Sequence, residues 1–175
     1  QGVGDEILFS SMYNDLIKNN FSKVKIECDK RLLEIFKRSF NRNIFVPFGH
    51  YSSSAIDIQA FDNVIYAGSL TKYFRKTESD FNHKPYIKSL DKLDKKFKSI
   101  LNSFNAKKKI GISWKSVFNI YGGLKSLELS DFKKLFSQER IFINLQYGES
   151  IKEVNQLKES GLNLYNFNNI DLFND

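Results

Sequence analysis

Short apolar runs alternate with amphipathic helical stretches along this chain in two successive series, and that order leaves few folds open. Strands linked through helices pair in parallel, and the helices cover the faces of the sheet. In the first series the spacing predicts a helix over 5–20, with Leu8, Met12 and Leu16 recurring every fourth residue and Ile7 alongside. Residues 23–28 alternate strictly, which predicts a strand with Val24, Ile26 and Cys28 on one face. Asp29 is expected to cap a helix carrying Leu32, Leu33, Ile35, Phe36 and Phe40. A second strand over 44–46 ends at Pro47, and a third over 63–67 leads through Gly68-Ser69 into a short helix. The Ser-rich run His50 to Ser54 and the aperiodic stretch 76–85 read as loops, and a longer helix is predicted over 90–104.

The second series begins after Asn105. Strands are expected over 109–114, 141–145 and 162–165, with a Gly- and Lys-containing loop over 115–126 and a short helix capped by Ser130. Ser150 and Glu153 have capping-box spacing ahead of a helix that Gly161 stops. The fold class is therefore α/β with Rossmann-like parallel sheets, in two domains over 1–105 and 106–175. The turn Gln1-Gly2-Val3-Gly4-Asp5-Glu6 feeds a helix with no strand in front of it, and the second series holds too few strands for a doubly wound sheet. Both features predict an arrangement incomplete at both ends. Open sheet edges at such ends could pair copies of the chain.

Composition narrows the function classes. A 41% hydrophobic content with 17 Phe and 8 Tyr can fill a core, and no apolar run reaches the length of a membrane span. Nothing at the start reads as a signal peptide. A single cysteine, Cys28, makes no internal disulfide and fits a reducing, cytoplasmic setting. The net charge of +7 is densest at Lys92, Lys95, Lys96, Lys98 and Lys107-Lys108-Lys109. These lysines could meet an anionic partner, but aromatics do not interleave with them as a single-strand-binding groove requires, so a solvated helix face is the plainer reading. His50 and His83 stand alone in loops, and no His/Cys/Asp spacing suggests a metal site.

Three places could carry chemistry. Gly2-x-Gly4-Asp5 joins glycines, which permit positive φ or close approach to a ligand, to a helix start with unpaired N–H groups. It is neither a P-loop nor a dinucleotide fingerprint, because Gly-Lys-Ser/Thr and the third glycine are both absent. Taken alone, it also reads as a tight turn with Asp5 as an ordinary first-turn acid. Ser113, Lys115 and Lys125 lie at and beyond the 109–114 strand, and Tyr147-Gly148-Glu149 follows the 141–145 strand. Open α/β sheets bind ligands at that C-terminal edge.

The ordered set Gln1–Phe9, Ile26–Leu32, Phe40, Ala67-Gly68-Ser69-Leu70, Pro85-Tyr86, Ile110–Trp114 and Leu145–Gly148 resembles a known region. It is similar to the glycosyltransferase-like region at the end of many bacterial TPR-repeat proteins, related to glycosyltransferase family 9, the heptosyltransferases. The resemblance covers nearly the whole chain; each motif is modest and the order is specific. It implies a GT-B architecture, two Rossmann-like domains facing each other across a cleft, the first toward the acceptor and the second binding a nucleotide sugar. It further implies transfer of a sugar from that donor to an acceptor hydroxyl, with Asp5 taking the hydroxyl proton.

On the same resemblance Lys125 holds the donor diphosphate, with Ser113 beside it and Lys115 as a competitor, because a cation there stabilises the leaving group as charge develops. Gly2 and Gly4 would line the cleft, and Tyr147 and Glu149 would lie near the donor. No metal or cofactor is implied beyond the donor itself. The family's donor signature, Asp-Thr/Ser followed by a His-Leu-Ala-type helix, has no counterpart up to Asp175, so this chain by itself is expected to be inactive. One alternative is a non-catalytic GT-B-like interaction module attached to TPR repeats. A less favoured one is a nucleic-acid or membrane-surface binder using the lysines of 92–109.

Overall fold

The structure, a computed structural model, describes residues 2–19, 21–48, 56–81, 83–105, 108–116, 122–137, 139–162, 164–167 and 170–172. His50 with its serine run, Lys107 and much of the 115–126 loop lie outside the described residues. The chain divides into two compact units, Gln1–Leu90 and Asp91–Asp175.

In the first unit the expected 5–20 helix is two helices, α1 (Val3–Ser10) and α2 (Tyr13–Lys18). The break is made by i→i+3 bonds, Ser11 N–H to the Leu8 carbonyl and Met12 N–H to the Phe9 carbonyl. Ser10, fully buried, also turns its hydroxyl back onto the Ile7 carbonyl at 2.7 Å. A break there resets the helical phase: of the predicted stripe Met12 is buried and Ile7 and Leu16 pack against the core, but Leu8 turns outward. Leu8 is 64% exposed, while Glu6, Ser10, Met12 and Tyr13 are buried.

Strand β1 (Ile26–Cys28) pairs in parallel with β2 (Phe45–Pro47), Ile26 opposite Phe45 and Cys28 opposite Pro47. Asp29 caps as expected, accepting from Arg31 N–H at 2.9 Å, but a 3₁₀ turn, Lys30–Leu32, comes before helix α3 (Leu33–Phe40). Asn41 ends α3 in the left-handed region at φ 50°. Tyr13, Phe36, Phe40 and Phe45 pack ring against ring at centroid distances of 5.5–6.0 Å over Met12, Ile26, Cys28, Leu32 and Leu70. Residues 63–66 form no strand: Val64, Ile65 and Tyr66 are exposed, and Ala67–Leu70 is a 3₁₀ turn leading into α4 (Thr71–Phe74). Their β-prone composition finds no neighbouring strand among the described residues, and a strand exists only by pairing.

The second unit opens with α5 (Asp91–Ser103), so the helix ahead of the divide expected near Asn105 travels with the second sheet. Strands β3 (Lys108–Ile112), β4 (Arg140–Asn144) and β5 (Leu164–Tyr165) form a parallel sheet in the order β3-β4-β5. The end of α5 meets β5 through Phe104 and Tyr165, 4.7 Å apart, and Phe97 meets Phe167 at 5.0 Å. Ile112, Trp114, Leu129, Phe142, Val154, Leu157 and Leu164 form the core beneath α6 (Ile151–Glu159). The segment expected as a helix capped by Ser130 is a 3₁₀ helix, Leu129–Leu135, whose start is held by Glu128 N–H donating to Asp131 Oδ2 at 3.0 Å. Lys92, Lys95, Lys96 and Lys98 stand exposed on α5, with Lys98 paired to Asp94 at 2.6 Å. Among the described residues no helix is long and apolar enough to cross a membrane.

Candidate functional site

Asp5 is the third residue of α1, and its carboxylate accepts the Gly2 N–H at 3.2 Å. That bond ties up one orphan amide of the helix start and leaves the side chain exposed. Neither glycine of the turn adopts the left-handed backbone: Gly2 is extended at φ −90° and Gly4 lies within α1. A Cβ at either position would meet nothing within 4 Å, so the surroundings are open rather than tight. The buried acid of this turn is its neighbour Glu6, whose Oε2 accepts the Asp29 N–H at 2.8 Å just past the end of β1. Burial pushes the Glu6 carboxyl above its ordinary range against the opposing effect of that amide. Glu6 escaped the sequence reading because a charged residue beside Gly-Asp carries no periodic sign of burial.

In the second unit the C-terminal edge of the sheet is organised around Gln146, which is 3% exposed. Its Oε1 accepts from Trp114 N–H and Lys115 N–H, each at 2.9 Å, and from Ser113 Oγ at 3.1 Å. Its Nε2 donates to the Lys115 carbonyl at 2.9 Å and to the Tyr147 carbonyl at 2.7 Å. Two N–H donors on one side and two carbonyls on the other fix the orientation of the amide. One side chain thereby fastens the segment after β3 to the segment after β4. Asn144 extends the network to β5: its Oδ1 accepts Gln146 N–H at 2.8 Å and its Nδ2 donates to Asn166 Oδ1 at 2.8 Å.

The spacing of Ser150 and Glu153 predicts a capping box, but Glu153 does something else. Its carboxylate receives the Trp114 indole N–H and the Lys115 ammonium, and the Ser150 side chain makes no cap. Burial opposes the charged form of Glu153, yet the Lys115 and Trp114 bonds prevail and hold its carboxyl below the ordinary range. Lys115 is thus neutralised inside the unit.

Lys125 is different. It ends a 3₁₀ turn, Gly123–Lys125, and its side chain is exposed with no ion pair among the described residues. The turn is anchored next to it, where Ser126 Oγ accepts the Ser116 N–H at 3.0 Å and donates to the Gly122 carbonyl at 2.6 Å. Leu127 N–H donates to the Trp114 carbonyl at 2.8 Å. Ser113, Lys115 and the Lys125 turn therefore share one edge of this sheet. Tyr147 is half-buried and Glu149 exposed, on a turn where Gly148 takes φ 81°, a conformation that favours glycine. Gln146 and Asn144 were visible only as polar residues placed at an apolar strand's end.

No family model matches the chain. Protein FlbA of Caulobacter vibrioides is similar to it, 26% identical over 192 residues, a match that covers 98% of this chain and 31% of that protein. The chain spans about a third of the length of this curated relative. No solved structure matches it.

Proposed function

We propose that this chain carries the acceptor-side domain and the first part of the donor-side domain of a GT-B-type glycosyltransferase. The reaction moves a sugar from a nucleotide-sugar donor to an acceptor hydroxyl. The acceptor oxygen bonds to the anomeric carbon as its proton passes to Asp5, and the nucleoside diphosphate leaves with the electrons of the broken C–O bond. Lys125 meets the charge that gathers on the departing diphosphate. Lys115 is the poorer candidate, because a ligand would have to displace Glu153 from its ammonium. A reducing, cytoplasmic setting belongs to the same reading, with Cys28 buried and free.

The supporting observation is the fastening of the two post-strand segments by Gln146 at the C-terminal edge of a parallel sheet, with the exposed Lys125, which makes no ion pair among the described residues, on the turn beside them. Calorimetry of nucleoside diphosphates with the whole protein tests it. Lys125→Ala is expected to weaken binding about 10-fold or more, the scale of a lost charged hydrogen bond, and Lys115→Ala to weaken it less. Absence of binding to the unaltered protein would sink the reading. The 175-residue chain alone is expected to transfer no sugar, and robust turnover would overturn its assignment as a partial site.

A second reading keeps the fold without the chemistry, as an interaction module of a TPR-repeat protein. Its support is the exposed apolar run Val64, Ile65 and Tyr66. Asp5→Asn in the whole protein separates the two, since an activity that survives it removes Asp5 as the base.

A further inference from the structure

Two ring pairs fix the direction of α5 against its sheet. Phe104, just past the end of the helix, meets Tyr165 of β5 at 4.7 Å, and Phe97 meets Phe167, two residues beyond β5, at 5.0 Å. Going back along α5 therefore runs forward along β5, and helix and strand are antiparallel. Residues ahead of Phe97 overhang the C-terminal edge, the edge of Ser113, Lys115 and the Lys125 turn, each reaching about 1.5 Å further than the next. Helical side chains also lean toward the N-terminus, which carries long ones further past the strand ends.

The overhang is basic. Lys92, Lys95 and Lys96 lie on it at i, i+3 and i+4, all exposed and without an ion pair among the described residues. Lys96 has only the Phe97 ring, 5.8 Å from its ammonium. Of the two acids on this stretch Asp94 is taken up by Lys98, which leaves Asp91 against three lysines. Like charges at that spacing weaken a helix, so the arrangement does nothing for α5 itself. Lys108 and Lys109 do not extend it: they begin β3 and stand at the opposite edge of the sheet.

We propose that Lys92, Lys95 and Lys96 are an electrostatic guide that draws an anionic ligand, a nucleoside diphosphate or its sugar ester, to the C-terminal edge of the second sheet. This rests on the nucleotide-binding reading above and adds to Lys125 a group of residues that act before contact. In the order β3-β4-β5 the two outer strands are two spacings apart, about 10 Å. At about 10 mM salt the screening length is about 30 Å, so the field of the overhang covers the whole edge. Such a field raises the rate of encounter and leaves the lifetime of the complex to the groups that touch the ligand.

Stopped-flow binding of N-methylanthraniloyl derivatives of uridine, adenosine and guanosine diphosphate to the whole protein tests this at low and high sodium chloride. Lys92→Gln, Lys95→Gln and Lys96→Gln combined are expected to lower the association rate about 3- to 10-fold at about 10 mM salt, with dissociation unchanged. The difference is expected to vanish at about 1 M, where the screening length is about 3 Å. A control removes the same charge from the opposite edge, with Lys108→Gln, Lys109→Gln and Lys134→Gln combined. Lys134 belongs there because the carbonyl of its neighbour Leu135 takes Arg140 Nη1 from the start of β4 at 3.1 Å. That control is expected to change the rate by less than about 2-fold. An equal fall in both variants would make net charge, not placement, the attraction. No fall in the first variant, or a change confined to dissociation, would show that these lysines guide nothing. Each of these results overturns the inference and leaves the Lys125 assignment standing. An unaltered protein that binds none of the three probes removes the nucleotide-binding reading itself, and this inference with it.

Discussion

Trp114 and Gln146 are joined across two strand ends by a backbone N–H donated to a side-chain oxygen at 2.9 Å, in a buried position. The bond is one of five that the Gln146 amide makes, so this side chain replaces the water that would otherwise solvate the start of two loops. Replacing it with an apolar residue of similar size orphans the buried Trp114 N–H and three half-buried backbone groups at once.

Gln146→Leu is accordingly expected to destabilise the second unit by about 2–4 kcal/mol, since each buried group left unpaired costs on the order of 1–3 kcal/mol and some recover water. Trp114 is the only tryptophan of the chain and lies in this unit, so its fluorescence through a urea titration reports the change. An unchanged midpoint would show that the network is ornamental to stability.

Glu153 should give the second unit an acid limit. Its carboxyl is held below the ordinary value in the folded state, so its contribution is complete above the unfolded value of about 4.5 and is lost as pH falls through the lower folded value. Glu153→Gln is expected to flatten that part of the stability curve, followed by Trp114 fluorescence between about pH 5 and pH 2. A variant with the same acid slope as the unaltered protein would refute the pairing with Lys115 and Trp114.

Glu6 predicts the opposite slope in the first unit. Its carboxyl is raised by burial, so the folded state holds the proton more tightly, and stability declines as pH rises from the unfolded value through the folded one. Glu6→Gln keeps an acceptor for the Asp29 N–H and removes the buried charge, and is expected to equal or exceed the original stability at pH 7. Glu6→Ala leaves that amide without its partner and is expected to lose about 1–3 kcal/mol. If Gln and Ala prove equally damaging in thermal unfolding, the carboxylate matters for its charge and the account of Glu6 fails.

Phe36 is fully buried among Tyr13, Phe40 and Phe45. Phe36→Ala is expected to cost about 3–5 kcal/mol, the usual range for a large aromatic truncated in a core. Urea unfolding followed by far-UV circular dichroism measures it, and a loss under 1 kcal/mol would mean that the aromatic cluster repacks.

The alternating apolar runs made the class legible: parallel strands, amphipathic helices and the three-stranded second sheet all follow from local period. Phe36, Phe40, Val154 and Leu157 could be assigned to buried faces because their three- and four-residue spacing marks one face of each helix. The break after Ser10 was not legible, because a buried serine turning back on its own helix leaves no mark on hydrophobic spacing. Nor was the missing strand at 63–66, because strand-prone residues pair only where a neighbour lies beside them.

Amino-acid order by itself determined which residues were polar, that strands alternate with helices, and that Ser113, Lys115 and Lys125 lie at or beyond one strand. The structure ends that strand at Ile112 and so sets Ser113 just past it. Folding decided which of these keeps a usable group. Glu153 comes from a helix 38 residues further along to claim Lys115, and Gln146 comes from the next strand end to meet the Ser113 hydroxyl. Hydrogen bonds are directional, so the chemistry left to a side chain depends on neighbours that only the tertiary structure supplies.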